Sequence, residues 1–320
     1  MRALILLAWT FFLGTGAVAA RDVRVAVVLD GAAGRQVFSA AAIEREVANV
    51  AAPDLTIKLA TDARYVGDWS LEGANAAFER ALADRDIDVV LTLGILTSQQ
   101  AARRASLPKP VIAPLVIDPV LQGYPLTEGR SGRRNFTYVA DFQSVGNEVR
   151  AFHNIVGFKH MVALVDDSLM RALPQLATKA TELAAALDIR IEIQNVGADV
   201  NAALANLPAG VDAVYVTPLR FDDAQVRELA RGLAARKLPT FSVVGRSELE
   251  AGMLMTTGGA ERDTERLARR IVLMIQRIAG GENPSGFDVS FPTSQRLLIN
   301  MRVAREIGFS PRWRFLADSE

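Results

Sequence analysis

Polar residues recur along this chain where a predicted strand ends and a predicted helix begins, and these positions carry the chemistry the sequence can offer. Asp30 closes the first apolar run, Thr97-Ser98 follows Leu91–Leu96, and Asp118 follows Val111–Ile117. Asp166-Asp167-Ser168 follows Met161–Val165, Thr217 follows Val211–Val216, and Gly245-Arg246-Ser247 follows Phe241–Val244. In open α/β sheets ligands sit outside the carboxyl ends of the strands. Helix N-termini there present free N–H groups to a carboxylate or other acceptor. Ordinary N-capping uses the same residue types at the same places, so each position taken singly is also a cap. Recurrence in both halves of the chain points to two rims facing one cleft. Arg220 and Arg246 add positive charge, and Phe221 shares a loop with Thr217 and Arg220. The chemistry expected is recognition: Thr97 and Ser98 donate hydrogen bonds to an acceptor group, and Asp118 or Asp166 receives a cationic one. Asp30, Ser168, Thr217, Arg220, Phe221 and Arg246 complete the candidate ligand-binding set.

Signatures of catalysis are missing from the sequence. It contains no G-x-S-x-G elbow, no Walker A sequence and no H-E-x-x-H. Asp30-Gly31-Ala32-Ala33-Gly34 lies where a dinucleotide fingerprint would, without the G-x-G-x-x-G spacing. His153 and His160 have no carboxylates at metal-ligand spacing and read as satisfied polar residues. Asp222-Asp223 opens a predicted helix, where carboxylates favour the dipole and cap the first turn. No acid, base or nucleophile assembles, so an enzyme is not the expectation, and no cofactor is expected.

The elements that must position these residues alternate. Val23–Leu29 is a nearly continuous apolar strand, the kind buried on both faces of a parallel sheet. A helix is expected around Gln36–Val50, a strand at Leu55–Ala60, a helix at Leu71–Ala83 and a strand at Asp88–Leu93. A helix starting near Thr97 and the strand Val111–Ile117 complete the first set. The pattern restarts with the strand His160–Val165 and a helix marked by Leu176, Ala180, Leu183 and Leu187. Strands at Ile189–Ile193, Asp212–Val216 and Pro239–Val244 follow, with a helix striped by Val226, Leu229, Ala230 and Leu233 between the last two. Strands near Met253–Thr257, Asp288–Phe291 and Leu297–Asn300, a helix through Leu267, Ile271, Met274 and Ile278, and a short helix to Gly308 close the chain. This βαβ repetition predicts an α/β fold with mostly parallel sheets. The restart near residue 140 predicts two sheets, with crossings expected at Tyr138–Gln143, Val244–Ser247 and Asn283–Gly286.

Composition narrows the classes further. The chain has 320 residues, half of them hydrophobic, with 36 basic and 36 acidic side chains, two His and no Cys. Zero net charge removes the electrostatic footprint of a nucleic-acid binder. Absence of Cys excludes disulfides, thiol nucleophiles, zinc-thiolate sites and acylated-cysteine anchors. Met1–Ala20 reads as a secretory signal: Arg2, the apolar run Ala3–Leu13, then Val18-Ala19-Ala20 with small residues at the positions a signal peptidase reads. That run is too short to span a membrane, which takes about 20 apolar residues. The expectation is an exported protein, monomeric and not membrane-embedded.

Several segments carry a family resemblance in order along the chain. They are Asp86–Leu93 with Thr97-Ser98-Gln99-Gln100-Ala101, Lys109-Pro110-Val111 through Val116-Ile117-Asp118-Pro119, and Val211–Val216. Leu238-Pro239-Thr240-Phe241, Ser247-Glu248-Leu249-Glu250-Ala251-Gly252 and the tail Leu298–Gly308 follow. The ordered set resembles the substrate-binding proteins of bacterial ABC transporters with the type I periplasmic-binding fold. It is closest to the branch that includes receptors for aromatic and other hydrophobic amino acids. The resemblance implies two Rossmann-like lobes joined by a three-stranded hinge, closure on a small-molecule ligand, and an inner-membrane ABC permease as partner. It divides the chain into a signal at 1–20, a first lobe at 21–140 plus 246–283, and a second at 141–245 plus 284–320. The loop after Leu93 and the loop at Ile117-Asp118 would line one rim, and those at Asp166–Ser168 and Thr217–Phe221 the other. Asp166-Asp167-Ser168-Leu169 stands where that branch shows an Asn-rich loop, and Thr217-Pro218-Leu219-Arg220-Phe221 where many members carry an Asp-Asn pair. Amino-acid specificity therefore does not carry over, and a sensory or accessory protein presenting its closed form to a receptor is the alternative to transport.

Overall fold

The computed structural model describes residues 20–32, 40–50, 52, 54–141, 145–258, 261–293 and 296–310. The secretory-signal reading of residues 1–19, the helix start at Gln36 and the end of the first crossing at Gln143 lie outside them. In chain order the first half holds β1 (Arg21–Val28), α1 (Ala40–Asn49), β2 (Leu55–Ala60), α2 (Leu71–Ala83), β3 (Val89–Thr92), α3 (Ile95–Arg103), β4 (Val111–Ala113) and β5 (Phe136–Tyr138). The second begins with α4 (Val145–Val156), β6 (His160–Asp166), α5 (Asp167–Ala172), α6 (Leu176–Leu187), β7 (Arg190–Val196) and α7 (Val200–Ala205). It continues with β8 (Ala213–Val216), α8 (Asp223–Ala235), β9 (Thr240–Ser242), α9 (Arg246–Ala251) and β10 (Met255–Gly258). Then come α10 (Glu261–Ala279), β11 (Arg296–Ile299) and α11 (Met301–Glu306).

These strands form two sheets, ordered β2-β1-β3-β4-β5 and β11-β10-β9-β8-β6-β7. Every pairing is parallel except that of β10 with β11. The apolar run in β1 is continuous because successive side chains point to opposite faces and both faces are covered. Val23, Val25 and Val27 join Ile43 and the α10 residues Ile271 and Ile275 in one core. Ala26 and Val28 join Ala77, Phe78 and Val90 in the other. The second sheet repeats this: Met161, Ala163 and Val165 of β6 face one core, Val162 and Leu164 the other.

Two of the three expected crossings fall elsewhere. Helix α9 packs on α8 and β10, and β10 pairs with β9, so residues 246–258 belong to the second sheet rather than the first lobe. Phe287, Val289 and Phe291 are buried in the first lobe's cores, so 284–293 belongs there rather than to the second lobe. The chain passes between sheets after Asp141, after Gly258 and after Thr293. The breakers that suggested the other positions end elements, not lobes. Gly245 turns the chain into α9 at φ +109°, and Asn283–Pro284 opens a single 3₁₀ turn. The expected strand at Asp288–Phe291 is reduced to isolated bridges, Arg130 with Asp288 and Ala140 with Ser290. No helix among the described residues is long and apolar enough to cross a membrane.

Candidate functional site

The carboxyl ends of both sheets face one another across a cleft with two compartments that share Ile95, Leu115 and Pro218. The outer compartment, about 250 Å³, is lined from the first lobe by Asp30, Gly31, Trp69 and Gly94 and from the second by Asp166, Leu219, Arg220 and Phe221. Helix α3 starts at Ile95, earlier than its apolar pattern predicts, because Gly94 is its N-cap and has no side chain to offer. Asp30 supplies the cap from the bend after β1: its carboxylate accepts the Leu96 and Thr97 N–H groups, both at 2.8 Å. Burial raises the Asp30 carboxyl above its ordinary 3.8, and those N–H groups pull it back in part. A side chain at residue 94 would bring Cβ to 2.0 Å from Asp30 Oδ1. Gly31 makes room for Trp69, whose indole would lie 2.3 Å from a Cβ there. Trp69 itself has φ +67° and donates its N–H to the Asp30 carbonyl at 2.8 Å. A bulky non-glycine residue held in the left-handed region beside a cleft is stored strain of the kind found at ligand sites. Sequence patterning missed Trp69, although an aromatic residue directly before the α2 N-cap Ser70 was legible.

On the second rim Asp166 caps α5 by accepting the Ser168 N–H at 2.8 Å, and its other oxygen takes Arg220 Nε at 2.8 Å. Burial raises the Asp166 carboxyl, against the Ser168 N–H and the Arg220 charge. Asp30, Asp166, Arg220 and Phe221 thus converge on the outer compartment. Thr97 and Ser98 do not reach the cleft. Both are fully buried: Thr97 Oγ1 donates to the Gly94 carbonyl, and Ser98 Oγ bonds Thr92 Oγ1 at 2.9 Å, tying α3 to β3. They lie inside the first turns of a helix that begins before them. Ser168 is buried within α5. Asp118 spends one carboxylate oxygen on the Val120 and Leu121 N–H groups, each at 2.9 Å, and Thr217 Oγ1 donates to the Leu164 carbonyl at 2.9 Å. Both line an apolar cavity that adjoins the cleft's other, inner compartment, sharing Ile117, Val145, Pro218 and Val243 with it. His160 is held by the Gly210 carbonyl and Glu192, and Asp222 forms a capping box with Gln225.

The inner compartment, about 400 Å³, lies by the crossings and is lined by Asp141, Glu148, Arg246, Thr257, Asp263 and Thr293. Glu148, on the first turn of α4, was not legible as a site residue. Its carboxylate accepts from Tyr215 Oη at 2.6 Å and Thr257 Oγ1 at 2.9 Å. Burial raises its carboxyl above the ordinary 4.5, and these two donors only partly oppose the rise. Arg246, expected at a strand end, lines the same compartment and makes no hydrogen bond or ion pair among the described residues. Asp141 ties the first crossing to the third by accepting from the Thr293 N–H at 3.1 Å and from its hydroxyl. No cluster of metal-binding side chains occurs among the described residues.

The two lobes touch beside the outer compartment. Arg171 of α5 makes a two-pronged ion pair with Glu72 of α2, at 2.7 and 3.2 Å, and Arg103 of α3 donates to the Ala172 carbonyl. Leu96 and Ala74 join the second lobe's core across this seam. Glu72 and Arg171 are solvated, so their pairing biases closure modestly and is screened by salt. Glu72→Ala is expected to shift the closed-to-open ratio by about two- to fivefold toward open. Small-angle scattering should show a larger radius of gyration at low salt, converging with wild type at high salt. An unchanged radius at low salt would show that the pair does not hold the lobes together.

The comparisons with known proteins agree on this architecture. The family model of the ABC transporter substrate binding protein matches residues 68–317. The chain is similar in structure to a conserved domain protein from Vibrio cholerae O1 biovar El Tor, with TM-score 0.70, 17% identity, and 94% of this chain and 98% of that one covered. It is similar to the ABC domain in complex with L-Trp from Streptococcus pneumonia, with TM-score 0.69, 19% identity and coverage of 92% and 98%. A periplasmic ribose ABC transporter structure from Conexibacter woesei aligns at TM-score 0.52 and 16% identity over 92% and 97%. At these identities the likeness speaks for the type I periplasmic-binding fold. No curated protein matches the chain significantly.

Proposed function

Because the chain belongs to the ABC transporter substrate-binding protein family, we propose that it captures a small zwitterionic organic molecule, amino-acid-like in its charges, between its lobes and delivers it to an ABC permease in the inner membrane. The observation that carries this reading is that Glu148 and Arg246, not bonded to each other, line one inner compartment. A desolvated carboxylate suits an ammonium, and an unpaired guanidinium suits a carboxylate. The outer compartment, with Trp69, Leu93, Leu219 and Phe221, would take the apolar remainder. Family members are binding proteins, and the rims here supply positioning groups rather than an acid–base pair. The first twenty residues would direct export to the periplasm. One lobe binds first, and closure desolvates the polar contacts.

The raised carboxyl of Glu148 gives this reading a pH signature. With the cleft empty, a raised folded value means that its contribution to stability is present below about 4.5 and is lost as pH rises through the raised value. A ligand ammonium offsets the cost of the charge, lowers that value and releases a proton. Affinity is therefore expected to rise as pH climbs from the ordinary 4.5 through the raised value, and Glu148→Gln to flatten the rise. The test is calorimetric titration with a panel of the common amino acids. The expected result is 1:1 binding of at least one, weakened by Glu148→Gln and by Arg246→Ala. Ligand at about 100 times its dissociation constant adds about 2.7 kcal/mol of stability. Binding of a neutral hexose in place of every amino acid would overturn the assignment.

A further inference from the structure

Adjoining the inner compartment at Ile117, Val145, Pro218 and Val243 is an apolar chamber of about 440 Å³, formed mainly by the second lobe and inside the roughly 300–1,000 Å³ range of ligand pockets. Its floor is the face of the second sheet that carries Met161, Ala163, Val165, Ile191 and Ile193, and α6 closes it with Leu183. None of the α6 residues is fully buried, although Leu176, Leu183 and Leu187 pack toward the core. Ile191 and Ile193 likewise stay only partly buried on a face that should be covered. Apolar surface left uncovered inside a lobe loses both packing and hydrophobic stabilisation, and an apolar occupant restores both. The roof is the first lobe's loop at residues 117–121, whose Asp118 uses one carboxylate oxygen on its own turn and whose Val120 is 67% exposed.

The rim gives the occupant its charge. Lys179 is neutralised by Glu182 at 2.7 Å. Arg150, which also lines the chamber, donates only to Asn147 Oδ1 at 3.3 Å and makes no ion pair among the described residues. We propose that this chamber is a second ligand site, adjoining the cleft but distinct from the Glu148–Arg246 and Trp69 compartments, that takes a medium-chain aliphatic carboxylic acid with its chain over β6 and β7 and its carboxylate at Arg150. The roof comes from the other lobe, so an occupied chamber favours closure independently of the cleft. This does not rest on the amino-acid reading of the cleft.

Decanoate is the probe, titrated calorimetrically into the full-length protein. The expected result is saturable 1:1 binding, weakened about tenfold by Arg150→Gln, the loss typical of a charge-assisted hydrogen bond. Ala163→Leu and Ala180→Trp fill the chamber from the sheet and from α6 respectively, and each should abolish decanoate binding. A cooperative thermal unfolding transition and an unchanged circular dichroism spectrum show that a variant is folded. Decanoate binding that survives both filling variants, or that disappears with Arg246→Ala, would place the acid in the cleft and overturn the proposal. Absence of saturable decanoate binding to wild type would overturn it as well.

Discussion

Asp30→Ala is expected to destabilise the protein by about 3 kcal/mol, from two buried N–H groups losing their acceptor at about 1–3 kcal/mol each, less the relief of desolvating one carboxylate. The N–H groups of Leu96 and Thr97 have no other acceptor, because Gly94 has no side chain and the first helical turn has no carbonyl to offer them. Asp30→Asn keeps one acceptor oxygen and should fall between wild type and alanine. Gly94→Ala attacks the same contact from the other side, since its Cβ would sit 2.0 Å from the Asp30 carboxylate. The two changes share one interaction and must not add. Gly94→Ala should be costly alone and cost much less when Asp30 is already alanine, where the carboxylate it would meet is gone. Urea titration of the two single variants and the double variant measures this cycle. Additive losses would show that Asp30 and Gly94 act separately and that the cap carries little.

Trp69→Ala is expected to weaken binding of the amino acid identified in the panel by about thirtyfold, the loss of at least 2 kcal/mol typical of a buried tryptophan anchor. The indole lines the outer compartment, and its backbone cannot retreat: φ is +67° and the N–H is held by the Asp30 carbonyl. Gly31→Ala should weaken binding similarly without touching Trp69 itself, because the new methyl occupies the indole's place 2.3 Å away. Calorimetric titration of both variants tests the pair. Wild-type affinity in Trp69→Ala would remove the residue from the ligand site. Loss in Trp69→Ala with no loss in Gly31→Ala would show that the indole can bind from another position.

Asp30 also shows why the fold was more legible in the sequence than the site. The apolar run at Val23–Val28 announces a strand covered on both faces, and both cores are there. The strand-end positions were legible as well, and four of the ten candidates, Asp30, Asp166, Arg220 and Phe221, line the outer compartment while Arg246 lines the inner one. Thr97 and Ser98 misled because helix α3 begins earlier than its own residues signal. Its cap comes from Asp30, 66 and 67 residues away from the N–H groups it accepts. Glu148 stayed hidden for the same reason: its partners Tyr215 and Thr257 lie 67 and 109 residues along the chain.

By itself, the sequence determined the strand–helix alternation, the two sheets and the family, because apolar periodicity and turn residues act over a few positions and report which faces must be buried. It did not determine against what they are buried. Only the tertiary structure decided where the second and third crossings fall, which carboxylates lose water, that Arg246 and Glu148 share a compartment, and that α6 closes an apolar chamber without filling it. Those outcomes depend on contacts between segments remote in the chain. Their energies come from desolvation and packing in three dimensions, and no local pattern encodes them.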